Sequence, residues 1–341
     1  MKAAIIKTVG SIEICEAPTP VLNDGESLIR VIYIGICGTD VHLFNGNHPT
    51  AVYPLIPGHE FVGELVESKG RGSERFNIGD TVVAQELFTC GTCDACAKGE
   101  DNVCNELSII GVHTDGGFAE YVKVMTHKMY RLPKDIDLKL AALTEPLAVA
   151  VHDVRVSGLN VGETVLVLGG GPIGLLIAVV ARLNGAGRIV VSEVNEYRRK
   201  FASDMGFDTI DPASDGFDER LRDMTAGRGF DVSFEAAGAP SALSTCIDHT
   251  KNTGVIVIIA MTSNAVAVDT GKVFAKELTL KGVRLHSQYN FMGAVDIISG
   301  GALSSDLQKF ITGIFPLDDV AEALETVRSG NNCFKILLEV K

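Results

Sequence analysis

The sequence predicts an α/β protein with two domains, and three observations support this class. The chain has 341 residues, more than one typical hydrophobic core accommodates. Short apolar segments separated by glycine and proline fill the first half, whereas strand-like and helix-like segments alternate from about residue 163 onward. Hydrophobic residues make up 46% of the chain, so both halves can pack a core. We therefore expect a mostly β domain and a doubly wound parallel sheet.

The first half is predicted to contain short strands, because its apolar and β-branched segments are bounded by turn-forming residues such as Pro18, Gly35, Pro57 and Gly79. These segments are residues 2–7, 27–32, 60–67 and 81–84.

The second half alternates between the two patterns. The predicted strands are residues 164–168, 188–192, 231–235 and 254–260, and the predicted helices run to about residue 184, from 195, and over 241–249. Such alternation is typical of a parallel sheet covered by helices on both faces. The chain then continues with strand and helix and ends in an apolar strand over 333–340.

Charge and hydropathy exclude several classes. Thirty Lys and Arg against 43 Asp and Glu give a net charge of −13, which is unsuited to binding nucleic acid. The longest apolar runs, residues 173–181 and 255–261, are too short to span a membrane, and the N-terminal apolar stretch is too short for a signal peptide. We expect a cytoplasmic protein without a membrane or nucleic-acid partner.

Four of the eight cysteines lie in one loop, with the spacing C-x2-C-x2-C-x7-C. Thiols stay reduced in the cytosol, so this pattern favours metal binding over disulfides. Four thiolates fill a tetrahedral Zn²⁺ and leave no open position, which predicts a structural zinc. Its ligands are Cys90, Cys93, Cys96 and Cys104.

A G-x-G-x-x-G motif follows the strand 164–168 and opens a helix, which predicts a dinucleotide site. Gly169 permits the tight turn, Gly171 lets the backbone approach a pyrophosphate, and Gly174 lets helix and strand pack closely. The helix N-terminus would then hold the pyrophosphate. The predicted cofactor-binding residues are Gly169, Gly171, Pro172, Ile173, Gly174, Glu193 and Arg198.

The acidic residue after the second strand predicts the cofactor's identity. Glu193, nineteen residues after Gly174, would bind the ribose hydroxyls and repel a 2′-phosphate, so NAD is favoured over NADP. Arg198 could reach the same ribose, and with Arg199 it could also accept a phosphate.

A second metal site is suggested by Cys37 and by His59. Alone, a cysteine after an apolar strand is usually core and a His-Glu pair is usually surface. Beside a nicotinamide domain, however, Cys37, His59 and an acidic residue would form a three-ligand zinc with an open fourth position.

Together these residues resemble the zinc-dependent medium-chain alcohol dehydrogenases, and within them the polyol and sugar-acid branch, which includes sorbitol, threonine, L-idonate and L-galactonate dehydrogenases. The resemblance covers the whole chain. Its motifs are residues 37–42, 58–60, the four-cysteine loop, 116–121, 145–146 and the glycine turn. It implies a groES-like catalytic domain over residues 1–148, to which 286–341 return, and a Rossmann NAD-binding domain over 149–285.

The resemblance also implies roles for individual residues. Cys37 and His59 are implied as catalytic zinc ligands, and either Glu145 or Glu60 as the third ligand. Thr39 would take the substrate proton and His42 would pass it on. His113 is expected to be non-catalytic, whereas Arg284 would either face the substrate or lie on the surface.

The implied activity is oxidation of a secondary alcohol of a polyol or sugar acid to a ketone, with zinc and NAD as cofactors. Threonine and butanediol are competing substrates, and relatives form homodimers or homotetramers. A different class, an NAD-binding sensor without turnover, stays open. An inactive protein would be expected to lose a member of the catalytic set, and all are present, which favours an enzyme. These members are Cys37, Thr39, His42, His59 and Glu145.

Overall fold

The computed structural model describes residues 1–262, 265–330 and 332–341, and the chain divides into two compact units. The first unit contains Met1–Ala148 and His286–Lys341, and the second contains Val149–Leu285. The first is mostly β and the second is an open parallel sheet with helices, so the predicted fold class is confirmed.

The first unit is built on a seven-stranded sheet whose strands follow the order β16-β17-β3-β4-β5-β9, with β8 also paired to β3. Two small antiparallel pairs, β1-β2 and β6-β7, complete it. The strands are β1 Lys2–Thr8, β2 Ser11–Glu16, β3 Glu26–Gly35, β4 Glu60–Lys69, β5 Thr81–Ala84, β6 Leu87–Phe88, β7 Ser108–Ile109, β8 Tyr121–Met125, β9 Met129–Arg131, β16 Ile311–Pro316 and β17 Lys335–Glu339.

Short helices connect these strands, and longer ones follow the return of the chain to this unit. They are α1 Gly38–Phe44, α2 Asp94–Ala97, α3 Leu138–Ala141, the start of α4 Thr144–Ser157, α10 Gln288–Gly300, α11 Ser304–Phe310 and α12 Val320–Ser329. The core lies against the sheet and includes Ile34, Phe118 and Leu338, each fully buried.

The register of the central strands places three chain segments together. Gly35, at the end of β3, pairs with Glu60 at the start of β4 and with Leu337 of β17. β17 comes from the C-terminal part of the chain but pairs with β3, which in turn pairs with β4. Its side chains can therefore lie close to residues from the first part of the chain.

The second unit is a six-stranded parallel sheet in the order β12-β11-β10-β13-β14-β15. The order reverses beside β10, and in sheets of this kind ligands bind at the carboxyl ends of the strands next to such a reversal. The strands are β10 Thr164–Leu168, β11 Arg188–Ser192, β12 Asp208–Ile210, β13 Phe230–Glu235, β14 Thr250–Ile258 and β15 Thr279–Gly282.

Helices α5 to α9 connect these parallel strands. They are α5 Pro172–Leu183, α6 Glu196–Asp204, α7 Phe217–Met224, α8 Ala242–His249 and α9 Thr270–Lys276. Buried Leu166, Phe230 and Ile256 belong to one of the hydrophobic clusters of this unit. Within the described residues, no helix is long and apolar enough to cross a membrane.

Most predicted elements match the structure within a few residues, but the strand expected over 254–260 begins earlier, at Thr250. Residues 250–253 are polar, so hydrophobic periodicity does not predict this first part of the strand. Thr250 pairs with Phe230 of β13, and its hydroxyl is within 2.7 Å of the buried hydroxyl of Ser233, so cross-strand hydrogen bonding extends the strand.

Candidate metal centres and cofactor site

A buried carboxylate shapes the turn that carries Cys37. Asp40, fully buried in α1, accepts hydrogen bonds from the backbone N–H of Cys37 at 2.8 Å and of Gly58 at 3.2 Å. Its Oδ1 also lies 3.9 Å from Nδ1 of His59. One side chain therefore fixes the backbone before α1 and that before β4, which brings Cys37 and His59 to the same place.

Cys37, His59 and Glu60 form the first candidate metal centre, because one ligand atom of each lies within 4.8 Å of the others. His59 and Glu60 are buried and Cys37 is partly buried. Burial lowers the pKa of His59, but the neighbouring Cys37 and Asp40 outweigh it, and the pKa lies well above the usual value. A carboxylate beside the second nitrogen of a metal-binding histidine is a common arrangement, since it orients the ring.

Glu60 has a counterion of its own. Nζ of Lys335 lies 2.7 Å from both Glu60 carboxylate oxygens, and Lys335 is only 4% exposed. Burial lowers the pKa of Lys335, but the negative charge of Glu60 and the other neighbouring groups together outweigh this effect. The pKa therefore stays above its usual value. Gly35 makes the pair possible, because a Cβ there would collide with the Glu60 carboxylate.

Glu145, the other predicted ligand, lies in a second buried group with Glu86 and His286, whose ligand atoms are also within 4.8 Å of one another. Burial raises the pKa of Glu145, and His286 opposes this effect. His59 and Glu145 are near enough for each to affect the other's pKa. The two rival carboxylates thus adjoin one centre, Glu60 held by Lys335 and Glu145 beside His286.

Thr39 and His42 lie on α1 three residues apart, a spacing that places two side chains on the same face of a helix. Oγ1 of Thr39 is 3.7 Å from Sγ of Cys37. Thr39 is partly buried and His42 is exposed, so the pair runs from the metal centre outward.

The four-cysteine loop has the geometry of a tetrahedral thiolate site. Sγ of Cys104 lies 3.5 Å from that of Cys90 and 4.0 Å from that of Cys93, close to the roughly 3.8 Å between sulfurs around a zinc with 2.3 Å bonds. Backbone N–H groups of Cys90 and Glu106 point at the Cys104 sulfur, each at 3.3 Å. The donor set fits zinc.

Asp101 anchors this loop to the rest of the first unit. Asp101 lies between Cys96 and Cys104 in the sequence, and its carboxylate accepts a hydrogen bond from Nζ of the buried Lys128 at 2.9 Å. Its other oxygen accepts the backbone N–H of Gln288 at 2.8 Å, two residues after His286. The loop is therefore tied to the segment that carries His286.

Steric contacts explain why glycines occupy the turn between β10 and α5 in the second unit. Gly169 has a φ of +100° and lies against the backbone of Ala236. A Cβ on Gly174 would collide with the carbonyl oxygen of Gly169, whereas one on Gly171 would meet only Arg198, 3.8 Å away. Pro172 and Ile173 begin α5, whose N-cap Gly171 provides no side-chain cap, so the first N–H groups are available to an anion.

A cavity of about 300 Å³ adjoins this turn and is lined by Gly171, Glu193 and Arg198 among others. Glu193 is buried and its carboxylate accepts hydrogen bonds from the backbone N–H groups of Gly170 and Asn195, both at 2.8 Å. Each oxygen keeps a further lone pair. Arg198 also lines the cavity, and its Nε is buried without a hydrogen-bond partner among the described residues. The donor and acceptor set fits a dinucleotide.

In the part of the chain that the structure describes, His113 and Arg284 lie outside the candidate metal-ligand groups. Nδ1 of His113 accepts the backbone N–H of Ile109 at 3.0 Å, and Nε2 is 2.9 Å from the hydroxyl of Thr50. His113 thus connects Ile109 and Thr50. Arg284 is exposed.

Sequence reasoning missed four buried residues of the centre. Asp40 had a local signal, since an acidic residue three positions after Cys37 can cap the turn. The others had none, because their partners lie far away in sequence. They are Lys335, Glu86 and His286.

Comparison with known proteins gives two matches to protein families: residues 23–134 match the alcohol dehydrogenase GroES-like domain, and residues 172–300 match the zinc-binding dehydrogenase family. The 2-dehydro-3-deoxy-L-galactonate 5-dehydrogenase of Pseudoalteromonas atlantica is 38% identical over 92% of each chain. The L-threonine 3-dehydrogenase of Shewanella frigidimarina is 34% identical over 96% of each chain.

Among solved structures, a zinc-binding dehydrogenase from Sinorhizobium meliloti bound to NADP superimposes with a TM-score of 0.89, at 31% identity, over 99% of this chain and 98% of that one. The fold and site thus define a zinc-binding oxidoreductase of the alcohol dehydrogenase type. The chain belongs to the zinc-dependent medium-chain alcohol dehydrogenase family, in the branch of its sugar-acid and threonine dehydrogenase relatives. Zinc and a nicotinamide dinucleotide are the cofactors of this class.

Proposed function

We propose that this protein oxidises a secondary alcohol of a polyol or sugar acid to a ketone, using NAD as the hydride acceptor and one zinc as the catalytic metal. The observation that carries the proposal is the convergence of Cys37, His59 and Glu60, whose ligand atoms lie within 4.8 Å of one another. One thiolate, one imidazole and one carboxylate leave a tetrahedral ion a fourth position for a substrate oxygen.

Cys37, His59 and a carboxylate, from Glu60 or Glu145, would hold the metal. When bound, zinc supplies Lewis acidity that lowers the pKa of an alcohol hydroxyl. One thiolate and one carboxylate balance the charge of the ion. Asp40 keeps the ring of His59 and the turn of Cys37 in place. The second zinc would stabilise the loop of Cys90, Cys93, Cys96 and Cys104 without taking part in the chemistry.

Thr39 and His42 would remove the hydroxyl proton. The Thr39 hydroxyl accepts it and donates its own onward, and His42 at the exposed end of the pair passes a proton to solvent. When bound, the nicotinamide would supply the hydride acceptor, and the hydride would carry the electron pair of the C–H bond. One proton and one hydride thus leave the alcohol, and a ketone forms.

NAD is the proposed cofactor because Glu193 presents a buried carboxylate in the dinucleotide cavity. A 2′-phosphate would meet this negative charge. The NADP in the Sinorhizobium meliloti structure makes the comparison of both cofactors necessary. Gly169, Gly171, Pro172, Ile173 and Gly174 would bind the pyrophosphate, and Arg198 would contact the ribose.

A sugar acid is the favoured substrate, because the galactonate-type relative has the higher of the two identities, 38%. L-threonine is the second candidate, supported by a relative that matches 96% of the chain. Both substrates carry a secondary alcohol next to further polar groups. Such a substrate suits a centre with two adjoining carboxylates, since one of them can yield to a chelating ligand.

The test is a panel of aldonates, polyols, butanediol and L-threonine, each with NAD and with NADP, followed by absorbance of the reduced cofactor. Turnover with at least one alcohol is expected, with greater efficiency for NAD. Cys37→Ala should abolish turnover and remove one of two zincs. Cys15→Ala, a partly buried cysteine outside both metal groups, is the matched control and should retain activity and both metals.

Flat traces across the panel from protein with two bound zincs would contradict the dehydrogenase proposal and favour the NAD-binding sensor. Binding of NADH, measured by its fluorescence, would then distinguish a sensor from a protein without a nucleotide site.

A further inference from the structure

His286 occupies an unusual position beside the metal centre. Its ring is fully buried, with Nε2 3.1 Å from Oε2 of Glu86 and 3.5 Å from Oε1 of Glu145. Glu86 is also fully buried, and Glu145 is 7% exposed. The imidazole is therefore shared by two buried carboxylates in a region from which water is excluded.

The backbone around His286 is fixed on both sides. The side-chain amide of Gln85, next to Glu86 in the chain, donates a hydrogen bond to the carbonyl oxygen of His286 at 3.0 Å. The backbone N–H of Gln288 donates to Asp101 at 2.8 Å. Ser287 caps α10 immediately afterward. The ring thus projects from a segment that has little freedom to move.

Glu145 depends on this ring more than Glu60 does. Both oxygens of Glu60 contact Lys335, whereas the ion pair of Glu145 within the described residues is the one with His286. A buried carboxylate without a cation is costly, so its side chain would turn away or take up a proton. Either change would displace or neutralise a candidate metal ligand near His59.

We propose that His286 is a positioning residue of the catalytic metal centre: together with Glu86, its imidazole holds the Glu145 carboxylate in place near His59. This inference rests on the proposed function, since it requires a metal at that centre. Partners of this kind govern metal affinity, and their loss typically weakens binding about 10- to 100-fold.

The test measures metal binding rather than turnover. The zinc of wild type and variants is titrated with a competing chelator, and cobalt substitution reports each site through its thiolate absorption bands. His286→Leu should weaken one of the two metals about 10- to 100-fold and leave the four-cysteine metal unchanged. His286→Gln retains a terminal N–H donor but carries no charge, so it should weaken the same metal by a smaller factor than His286→Leu does. The matched control is His249→Leu, a buried histidine of the second unit 2.7 Å from Asp218, which should leave both metals unchanged.

A double-mutant cycle shows whether His286 acts through Glu145. In a Glu145→Ala background the further loss caused by His286→Leu should disappear, because the partner is already gone. An equal loss in both backgrounds, or wild-type metal binding by His286→Leu, overturns the positioning role while leaving the proposed function intact. A wild-type protein that binds only the four-cysteine metal overturns both.

Glu86→Gln guards against misfolding of the histidine variants. It keeps the shape of the side chain and removes its charge, so the ring loses one anchor and metal binding should weaken by a smaller factor. A His286→Leu protein that does not fold, together with a Glu86→Gln protein that binds both metals as wild type does, would also count against the proposal.

Discussion

Nζ of Lys335 lies 2.7 Å from both carboxylate oxygens of Glu60, although the two residues are 275 positions apart in the chain. The pair joins the last strand to the first residue of β4. It leaves one candidate zinc ligand neutralised by a lysine, and the other, Glu145, dependent on a histidine.

Lys335→Met should destabilise the fold, because it leaves Glu60 buried without its counterion. Loss of one partner of a buried ion pair costs about 3–5 kcal/mol in the free energy of unfolding. Denaturant unfolding at neutral pH measures the change. Lys341→Met removes an exposed lysine 3.6 Å from Glu339 and should change stability by less than about 1 kcal/mol.

The pH dependence of this difference follows from the raised pKa of Lys335. A lysine whose pKa is higher in the folded state stabilises the fold at all pH values below its unfolded pKa, about 10.4. The contribution disappears as pH rises through the folded pKa. The stability gap between wild type and Lys335→Met should therefore stay constant from pH 6 to 9; a gap that closes within that window would contradict the assignment.

Gly35→Ala tests the contact between β3 and the Glu60–Lys335 pair. Its Cβ would collide with the Glu60 carboxylate and approach the Lys335 side chain. Overpacking of this kind costs about 1–3 kcal/mol, and displacement of Glu60 should also lower zinc content. Thermal unfolding and metal analysis measure both effects. Gly300→Ala, where a Cβ meets open space, is the matched control and should match wild type in both.

Thr39→Val removes the hydroxyl proposed to accept the substrate proton while keeping the size of the side chain. Loss of a positioned proton acceptor should lower kcat by roughly 10²- to 10⁴-fold. Zinc content should not change, because the Thr39 hydroxyl is not a metal ligand in this assignment. Steady-state kinetics with the best substrate of the panel, alongside metal analysis, give the answer; unchanged kcat would remove Thr39 from the relay.

Glu193→Gln should reduce the preference for NAD over NADP by roughly tenfold or more, because a charged hydrogen-bond acceptor for the ribose is lost and repulsion of a 2′-phosphate disappears. The ratio of kcat/KM values for the two cofactors measures it. Glu196→Gln, an exposed residue in the first turn of α6, changes the same charge outside the cavity. A similar shift in both variants would show a general charge effect instead.

The four-cysteine loop should show graded thiol reactivity once its metal is chelated. Backbone N–H groups of Thr92 and Cys93 lower the pKa of Cys90 to about 6, whereas burial raises the pKa of Cys96 to about 12. At pH 7, Cys90 is then mostly thiolate and Cys96 mostly thiol, and thiolates react faster. Timed alkylation with peptide mass spectrometry should find Cys90 labelled first. Burial also raises the pKa of Cys246, which should stay unlabelled.

The parts of the protein that the sequence predicts are those governed by neighbours in the chain. The strand 164–168, the glycine turn and α5 follow from local periodicity and spacing, as does the four-cysteine loop. Thr250 shows the limit, because its strand depends on pairing with Phe230 rather than on its own apolar pattern.

The buried charges of the centre follow from tertiary structure alone. Lys335 reads as one lysine in an apolar terminal strand, and only the antiparallel pairing of β17 with β3 brings it to Glu60. His286 and Glu86 are 200 positions apart and share no motif. Hydrophobic periodicity does not indicate which charged residues, far apart in the sequence, will be buried next to one another.

The anchoring of Asp101 has a consequence for damage to the enzyme. One carboxylate ties the sulfur-rich loop to the segment of His286, so an oxidant that joins two thiols of that loop would disturb Gln288 and, next to it, the imidazole beside Glu145. Turnover can then fail while Cys37 itself is chemically intact. Oxidation of the four-cysteine loop would thus lower activity indirectly, by displacing His286 and Glu145.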